Sequence, residues 1–328
     1  MGILRHFYIA SLATVAIIAV QPASAQTYRL EAATIAPQDN LWAKVGDRFA
    51  EAVAQRTDND VQIRMSYSGA LGSAEDTIEA LQFGTTHIVI QEVGNLDGYE
   101  PLASLGSYPY LIRDYEHFTQ VMVEGGVGQQ FHDELEKRAG FKLVGAGYRG
   151  PRELAANREV RTPEDLVGLK IRVPNQRIFR ATWETLGASP TPMPSLDVYT
   201  ALQQGIIDAA ENPLEAQVRS RYYEAVPYVI TTGHVNAYYT FIFDAAYFRS
   251  LPEDVQLVLV EEGEKAMQWG SEQLLTLLEG YEENLQQHGV TIIRPDVEAF
   301  QVKLEPMKDQ FPQDMQEWID KFQDVGRI

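Results

Sequence analysis

The amino-acid sequence predicts an α/β fold whose domains exchange strands rather than follow one another in series. Short apolar or alternating runs change places with helical stripes along nearly the whole chain, as in helices packed on a sheet. Glycine or proline closes many of these runs. No repeat, low-complexity segment or Pro/Gly/Ser-rich linker divides the 328 residues, so a division into separate consecutive units has no support.

The elements follow in order. Tyr28 to Thr34 reads as a strand, and Leu41 to Arg56 as a helix with its stripe at Leu41, Val45, Phe49 and Val53. Val61 to Tyr67 alternates like a strand. Ser73 to Phe83 is a helix with Ser73 at its N-cap and Asp76 in its first turn. His87 to Gln91 is a short buried strand. Asp114 to Val123 and Gly128 to Arg138 look helical, and Phe141 to Gly145 returns to strand. Leu169 to Val173 is a strand ended by Pro174. Gln176 to Leu186 is a helix stopped by Gly187, and Ser195 to Gln204 is a helix capped by Ser195. Ile206 to Ala210 is a strand, and Pro252 to His288 a long helix with Gly289 beyond it.

With 46 acidic against 27 basic residues the chain carries a formal charge of −19, which opposes nucleic acid and anionic membrane surfaces because both require clustered Lys and Arg. An anionic ligand would have to be held by a few local arginines. There is no cysteine, which excludes disulfides, Cys-ligated metals, iron–sulfur clusters and thiol nucleophiles.

The first 25 residues read as an export signal. Arg5 supplies a basic start, Phe7 to Val20 is apolar apart from Ser11 and Thr14, and Ala23-Ser24-Ala25 offers small residues for cleavage. An apolar run of 14 residues spans about 21 Å as a helix, short of a membrane core of about 30 Å. The expected product is cleaved after Ala25 and resides outside the cytoplasm.

Catalytic signatures are few. Gly145-Ala146-Gly147-Tyr148-Arg149-Gly150 fits G-x-G-x-x-G after a strand, but Pro151 follows and no helical stripe leads on to present an N-terminus to a pyrophosphate. The six histidines show no metal-ligand spacing, and neither H-E-x-x-H nor G-x-S-x-G occurs. Glu261-Glu262 and Glu282-Glu283 fit a solvated helix face. What remains is a group of oddly placed polar residues near strand ends: Arg172 between Ile171 and Val173, Asn212 beyond Ala210, and Arg152 after the Gly147–Pro151 turn. Ligands of open α/β sheets gather beyond the carboxyl ends of strands, so the three suggest an anion site, against the plainer reading of surface or cross-strand residues.

Thr162-Pro163-Glu164-Asp165-Leu166-Val167-Gly168-Leu169-Lys170-Ile171-Arg172-Val173-Pro174 resembles the core motif of the DctP-type solute-binding proteins of tripartite ATP-independent periplasmic (TRAP) transporters. Leu186 to Met193, Tyr199 to Gly205, Asp208-Ala209-Ala210-Glu211-Asn212-Pro213 and Leu251 to Gln256 match further motifs in the same order. The resemblance covers nearly all of the chain after the signal.

The resemblance implies a two-lobed periplasmic binding protein fold with interleaved lobes and a long bridging helix. One lobe is expected over 26–149 and 238–277, and the other over 150–237 and 278–328. It implies a carrier and not an enzyme, with no cofactor or metal: a monomer that captures a small organic acid and delivers it to a small and a large integral membrane subunit. An exported binding protein presenting the same ligand to a signalling receptor is the alternative. The family's carboxylate-binding arginine falls on Arg172, a second arginine on Arg152, and its asparagine on Asn212. Glu92 and Asn175 match polar positions of sialic-acid-binding members, whereas Asn95 and Ser195 stand where those members carry Arg and Phe. That pattern argues against sialic acid and favours another hydroxylated or sugar-derived acid, with C4-dicarboxylates and sulfonates also open.

Overall fold

The computed structural model describes residues 27–326, so the expected export signal and its cleavage after Ala25 lie outside the described residues. Among the described residues nine strands, β1 (Tyr28–Ala33), β2 (Val61–Ser66), β3 (Ile88–Glu92), β4 (Phe141–Ala156), β5 (Lys170–Val173), β6 (Ser189–Pro192), β7 (Ala209–Pro213), β8 (Tyr228–Asp244) and β9 (Thr291–Ile293), form one sheet. Its order is β2-β1-β3-β8-β4-β7-β5-β6, with β9 added to β8.

The antiparallel pair β4 and β8 organises this sheet, and these two strands run 16 and 17 residues. The C-terminal part of β8 pairs with β3, from Val89↔Ile242 to Glu92↔Tyr239, and its N-terminal part pairs with β9, from Tyr228↔Thr291 to Ile230↔Ile293. β7 joins only the far end of β4, from Arg152↔Pro213 to Ala156↔Ala209. The sheet therefore has two halves, each built on a different end of the same two strands. The β4–β8 register shifts between Val144 and Gly147, between Tyr148 and Gly150, and between Arg152 and Leu154.

Helices cover the sheet: α1 (Leu41–Arg56), α2 (Ala74–Gln82), α3 (Tyr115–Thr119), α4 (Val127–Ala139), α5 (Arg177–Leu186), α6 (Val198–Gln203), α7 (Leu214–Arg219), α8 (Ala245–Ser250), α9 (Glu253–Gln287), α10 (Val297–Leu304) and α11 (Gln313–Asp324). α1 buries Leu41, Val45, Phe49 and Val53 and is capped by Asn40, whose side chain accepts from the Trp42 amide at 2.8 Å. Ser73 and Asp76 form a reciprocal capping box at the start of α2. At 35 residues, α9 is about 52 Å long, and it buries residues from Val255 through Leu285 along both sheet halves.

G-x-G-x-x-G is not a turn onto a helix. It lies inside β4. A Cβ on Gly145, at φ +67, would come within 3.2 Å of the Glu264 Cα and the Gly263 carbonyl oxygen of α9. One on Gly147 would sit 2.7 Å from the Tyr239 ring and 2.9 Å from the Met267 sulfur. These glycines let a strand and a helix approach closely, and the nucleotide reading falls with the turn. Arg152 is accordingly within a strand, not past one.

Other elements shift. The strand expected over Ile206–Ala210 begins at Ala209, because Ile206 is exposed and Asp208 anchors the turn through the Lys170 amide at 3.1 Å. Ser195 does not cap a helix: Ser195–Asp197 is a 3-10 turn after Pro194, and burial starts only at Val198. The helix expected from Asp114 divides into α3 and a π-helical turn, Gln120–Glu124, closed by the Gly125 amide on the Gln120 carbonyl at 2.7 Å.

Candidate functional site

A cleft of about 240 Å³ opens where the two sheet halves meet. Its inner polar lining comes from strands and the loops that follow them, and α2 and α7 add Glu75, Glu215 and Arg219. Glu92 ends β3 and leads into the 3-10 turn Val93–Leu96 that carries Asn95. Arg149 and Arg152 come from β4, Arg172 from β5, Asn212 from β7, Asn175 and Gln176 from the loop after β5, and Ser195 from the turn before α6. The seven residues singled out from sequence, Arg172, Arg152, Asn212, Glu92, Asn175, Asn95 and Ser195, all line this one cleft.

Alternation along a strand would send residues three apart to opposite faces. Arg149 and Arg152 nevertheless share the cleft because Arg149 is the extra residue of a bulge, with Gly150 at φ +83 beside it. Only glycine adopts that φ without strain.

The three arginines differ in how they are held. Arg152 is 1% exposed and Glu211 0%; Arg152 Nη2 donates to Glu211 Oε1 at 2.7 Å while its Nε reaches the other carboxylate oxygen. Arg152 Nη1 donates to Glu92 Oε1 at 3.0 Å, and the guanidinium lies 4.8 Å over the Phe179 ring. Burial opposes both charges of the Arg152–Glu211 pair. Their mutual attraction outweighs it, holding Glu211 well below the usual carboxylate range and Arg152 firmly protonated. His234 Nε2 lies 3.1 Å from Glu211 and its Nδ1 2.8 Å from Thr232 Oγ1, and burial lowers its pKa.

Arg149 ion-pairs with Glu92, lies 4.5 Å over the Trp42 ring, and donates from Nη2 to Asn212 Oδ1 at 3.3 Å. Asn212 Nδ2 in turn donates to the Tyr222 hydroxyl at 3.4 Å.

Arg172 is 3% exposed and makes no ion pair with an acidic side chain among the described residues. Its Nε and Nη2 both donate to the Met193 carbonyl, at 2.8 and 2.6 Å. That clamp engages one edge of the guanidinium. The end-on pair of N–H groups on Nη1 and Nη2 is left for a planar two-oxygen acceptor. Burial pulls its pKa below the ordinary arginine value.

Neutral amides complete the cleft. Asn95 Nδ2 donates to Gln91 Oε1 at 3.0 Å, and Asn95 Oδ1 accepts from Gln176 Nε2 at 2.8 Å. Both ends of the Asn95 amide are thereby fixed, with one N–H to spare. Arg149, Trp42, Gln91, Gln176 and Tyr222 are cleft residues that the sequence reading passed over. A strand that continued through Gly150 would have exposed Arg149. Among the described residues no group of His, Asp and Glu side chains could hold a metal ion.

The profile of bacterial extracellular solute-binding proteins, family 7 (DctP), matches residues 32–314. The chain belongs to this family. A solute-binding protein of Roseobacter denitrificans is 32% identical over 293 residues, covering 89% of this chain and 90% of its own. A crystal structure of a TRAP periplasmic solute-binding protein from that organism, with bound L-galactonate, has a TM-score of 0.85 at 29% identity and covers 90% of this chain and 99% of its own. One from Xanthobacter autotrophicus with bound β-D-galacturonate has a TM-score of 0.85 at 25% identity, covering 91% and 100%. The two-lobed DctP fold and the role of solute-binding protein of a TRAP transporter are thus shown, and the receptor-serving alternative is not favoured. These relatives are periplasmic solute-binding proteins. No helix among the described residues is long and apolar enough to cross a membrane.

Proposed function

We propose that this DctP protein captures a small hydroxylated or sugar-derived organic acid by its carboxylate. The observation that carries the reading is Arg172: a buried guanidinium that lines the cleft and is clamped on one edge by the Met193 carbonyl, while its neighbours are already paired with acids. A carboxylate placed end-on would supply the missing counter-charge in a two-bond fork. Arg152 holds Glu92 and Glu211 in place and has an Nη1 hydrogen left for the ligand. Asn212, Asn95, Asn175 and Ser195 provide hydrogen bonds suited to hydroxyl groups. The acids bound by the galactonate- and galacturonate-bound relatives are of this chemical kind.

The same reading takes 26–149 with 238–277 as one lobe and 150–237 with 278–328 as the other, closing on the ligand. The exported monomer, cleaved after Ala25, hands it to a small and a large membrane subunit without altering it. The bulges of β4 beside Gly150 and the crossing of α9 support a bend at that level. A thermal-shift screen of aldonates, uronates and small carboxylates tests the ligand class, since a ligand at about 100 Kd adds roughly 2.7 kcal/mol of stability. Stabilisation by none of these acids would overturn it.

A further inference from the structure

We infer that the cleft selects singly charged acids over their dicarboxylate counterparts, and that Glu92 is the specificity-determining residue. The inference rests on the carboxylate-capture reading and adds to it the charge of the ligand. Three cations, Arg149, Arg152 and Arg172, face the cleft. Glu211 is committed to Arg152 through both oxygens, and Glu92 is committed to Arg149 with a second bond to Arg152. His234, buried behind Glu211, has its charged form disfavoured by burial. The inner cleft therefore carries one positive charge without a counter-charge, located on Arg172.

The rim supplies no second one. Arg219 is the remaining cation of the lining, and it already pairs with Asp39 and lies 3.8 Å from Glu215. Glu75 adds a further acid to the same lining. A second ligand carboxylate would enter among Glu92, Glu215 and Glu75 with every other arginine engaged. Glu92 sets this balance because it neutralises Arg149, whose guanidinium lies over Trp42 and bonds Asn212 at 3.3 Å.

Calorimetry on three matched pairs tests it: L-galactonate with galactarate, D-gluconate with D-glucarate, and D-erythronate with meso-tartrate. Each pair differs by one terminal CH2OH oxidised to carboxylate. An unmatched like charge at an interface costs several kcal/mol, so the diacid of any pair that binds should be at least about tenfold weaker. Glu92→Gln keeps an oxygen acceptor for both arginines but releases the charge of Arg149. It should shift the ratio towards the diacid by about tenfold or more. A wild-type diacid binding as tightly as its monoacid, or an unchanged ratio in folded Glu92→Gln, overturns the inference while leaving carboxylate capture standing. If Glu92→Gln does not fold, the wild-type ratio decides. Binding of none of the six acids counts against the capture reading itself.

Discussion

Replacing Arg172 separates ligand capture from scaffold. In the free protein its side chain accounts for two hydrogen bonds to one carbonyl, that of Met193, and no ion pair among the described residues. Against those bonds stands the desolvation of a cation that is 3% exposed. In the complex the same group would meet the ligand carboxylate directly. Truncating one partner of a buried, hydrogen-bonded charge pair costs about 2–5 kcal/mol. At about 1.4 kcal/mol per tenfold, Arg172→Ala should weaken binding by roughly 30- to several-thousand-fold. Arg172→Lys keeps the charge and loses the fork, so it should also bind poorly. Arg172→Met fills the space with an uncharged chain and should leave the ligand-free Tm unchanged or higher. Calorimetry with the best acid from the screen gives the affinities, and thermal unfolding without ligand gives the stabilities. Near-normal affinity in folded Arg172→Ala would end the clamp hypothesis; a large fall in ligand-free Tm in Arg172→Met would make Arg172 a structural residue.

Arg152→Ala should behave in the opposite way, because it strands the fully buried Glu211; a loss of about 3–5 kcal/mol is expected in urea unfolding without ligand. Burial lifts the Glu153 carboxyl from its ordinary 4.5 to about 8, while its Oε2 accepts from the Gly233 amide at 2.7 Å. The folded state keeps a proton that the unfolded chain releases in that window, so the Glu153 contribution to stability falls as pH rises through it, by at most about 1.4 kcal/mol per pH unit. Wild type measured against Glu153→Gln between about pH 6 and about pH 8 should show this slope, and parallel curves would refute it. Gly145→Val places a branched chain at φ +67 against the α9 backbone, and chemical denaturation should register a loss of about 1–3 kcal/mol from overpacking alone.

Residues whose structure follows from local physics were legible in the sequence. The apolar stripe of α1 and the Ser73 N-cap of α2 mark their elements within a residue. Arg172 was legible as a polar residue inside an apolar strand, and Asn212 and Arg152 as polar residues beyond strand ends; comparison with sialic-acid-binding members of the family added Glu92, Asn95, Asn175 and Ser195. What was lost depended on long-range pairing. Gly145, Gly147 and Gly150 look like turn residues because glycine permits turns, yet here they permit close helix packing and a bulge within β4. Closing the strand at Gly145 removed Arg149 from view and misplaced Arg152. β8, Tyr228–Asp244, carries Thr, Gly, His and Asn among its apolar residues, and its pattern of burial is set by partners on both sides. The engagement of Arg152 by Glu211, which gives it a scaffold role beside the one proposed towards the ligand, depends on β4 meeting β7 in one register.

The sharing of β4 and β8 between the two halves has a consequence for how the molecule comes into being. A chain made from its N-terminus presents Tyr28 long before Tyr228. β3 then waits for residues 239–242 of β8 to complete its side of the sheet, while the end of β4 waits for β7 and the start of β8. Pairings this distant in sequence make for slow folding, and neither half has a full set of neighbours until β8 has emerged. A fragment ending before Tyr228 should stay unfolded and protease-sensitive, and the whole chain should fold in a single cooperative transition despite its two lobes. The same dependence keeps unfinished sheet edges open during synthesis, so a partner that shields exposed strands would be needed most in the interval before residue 244 appears.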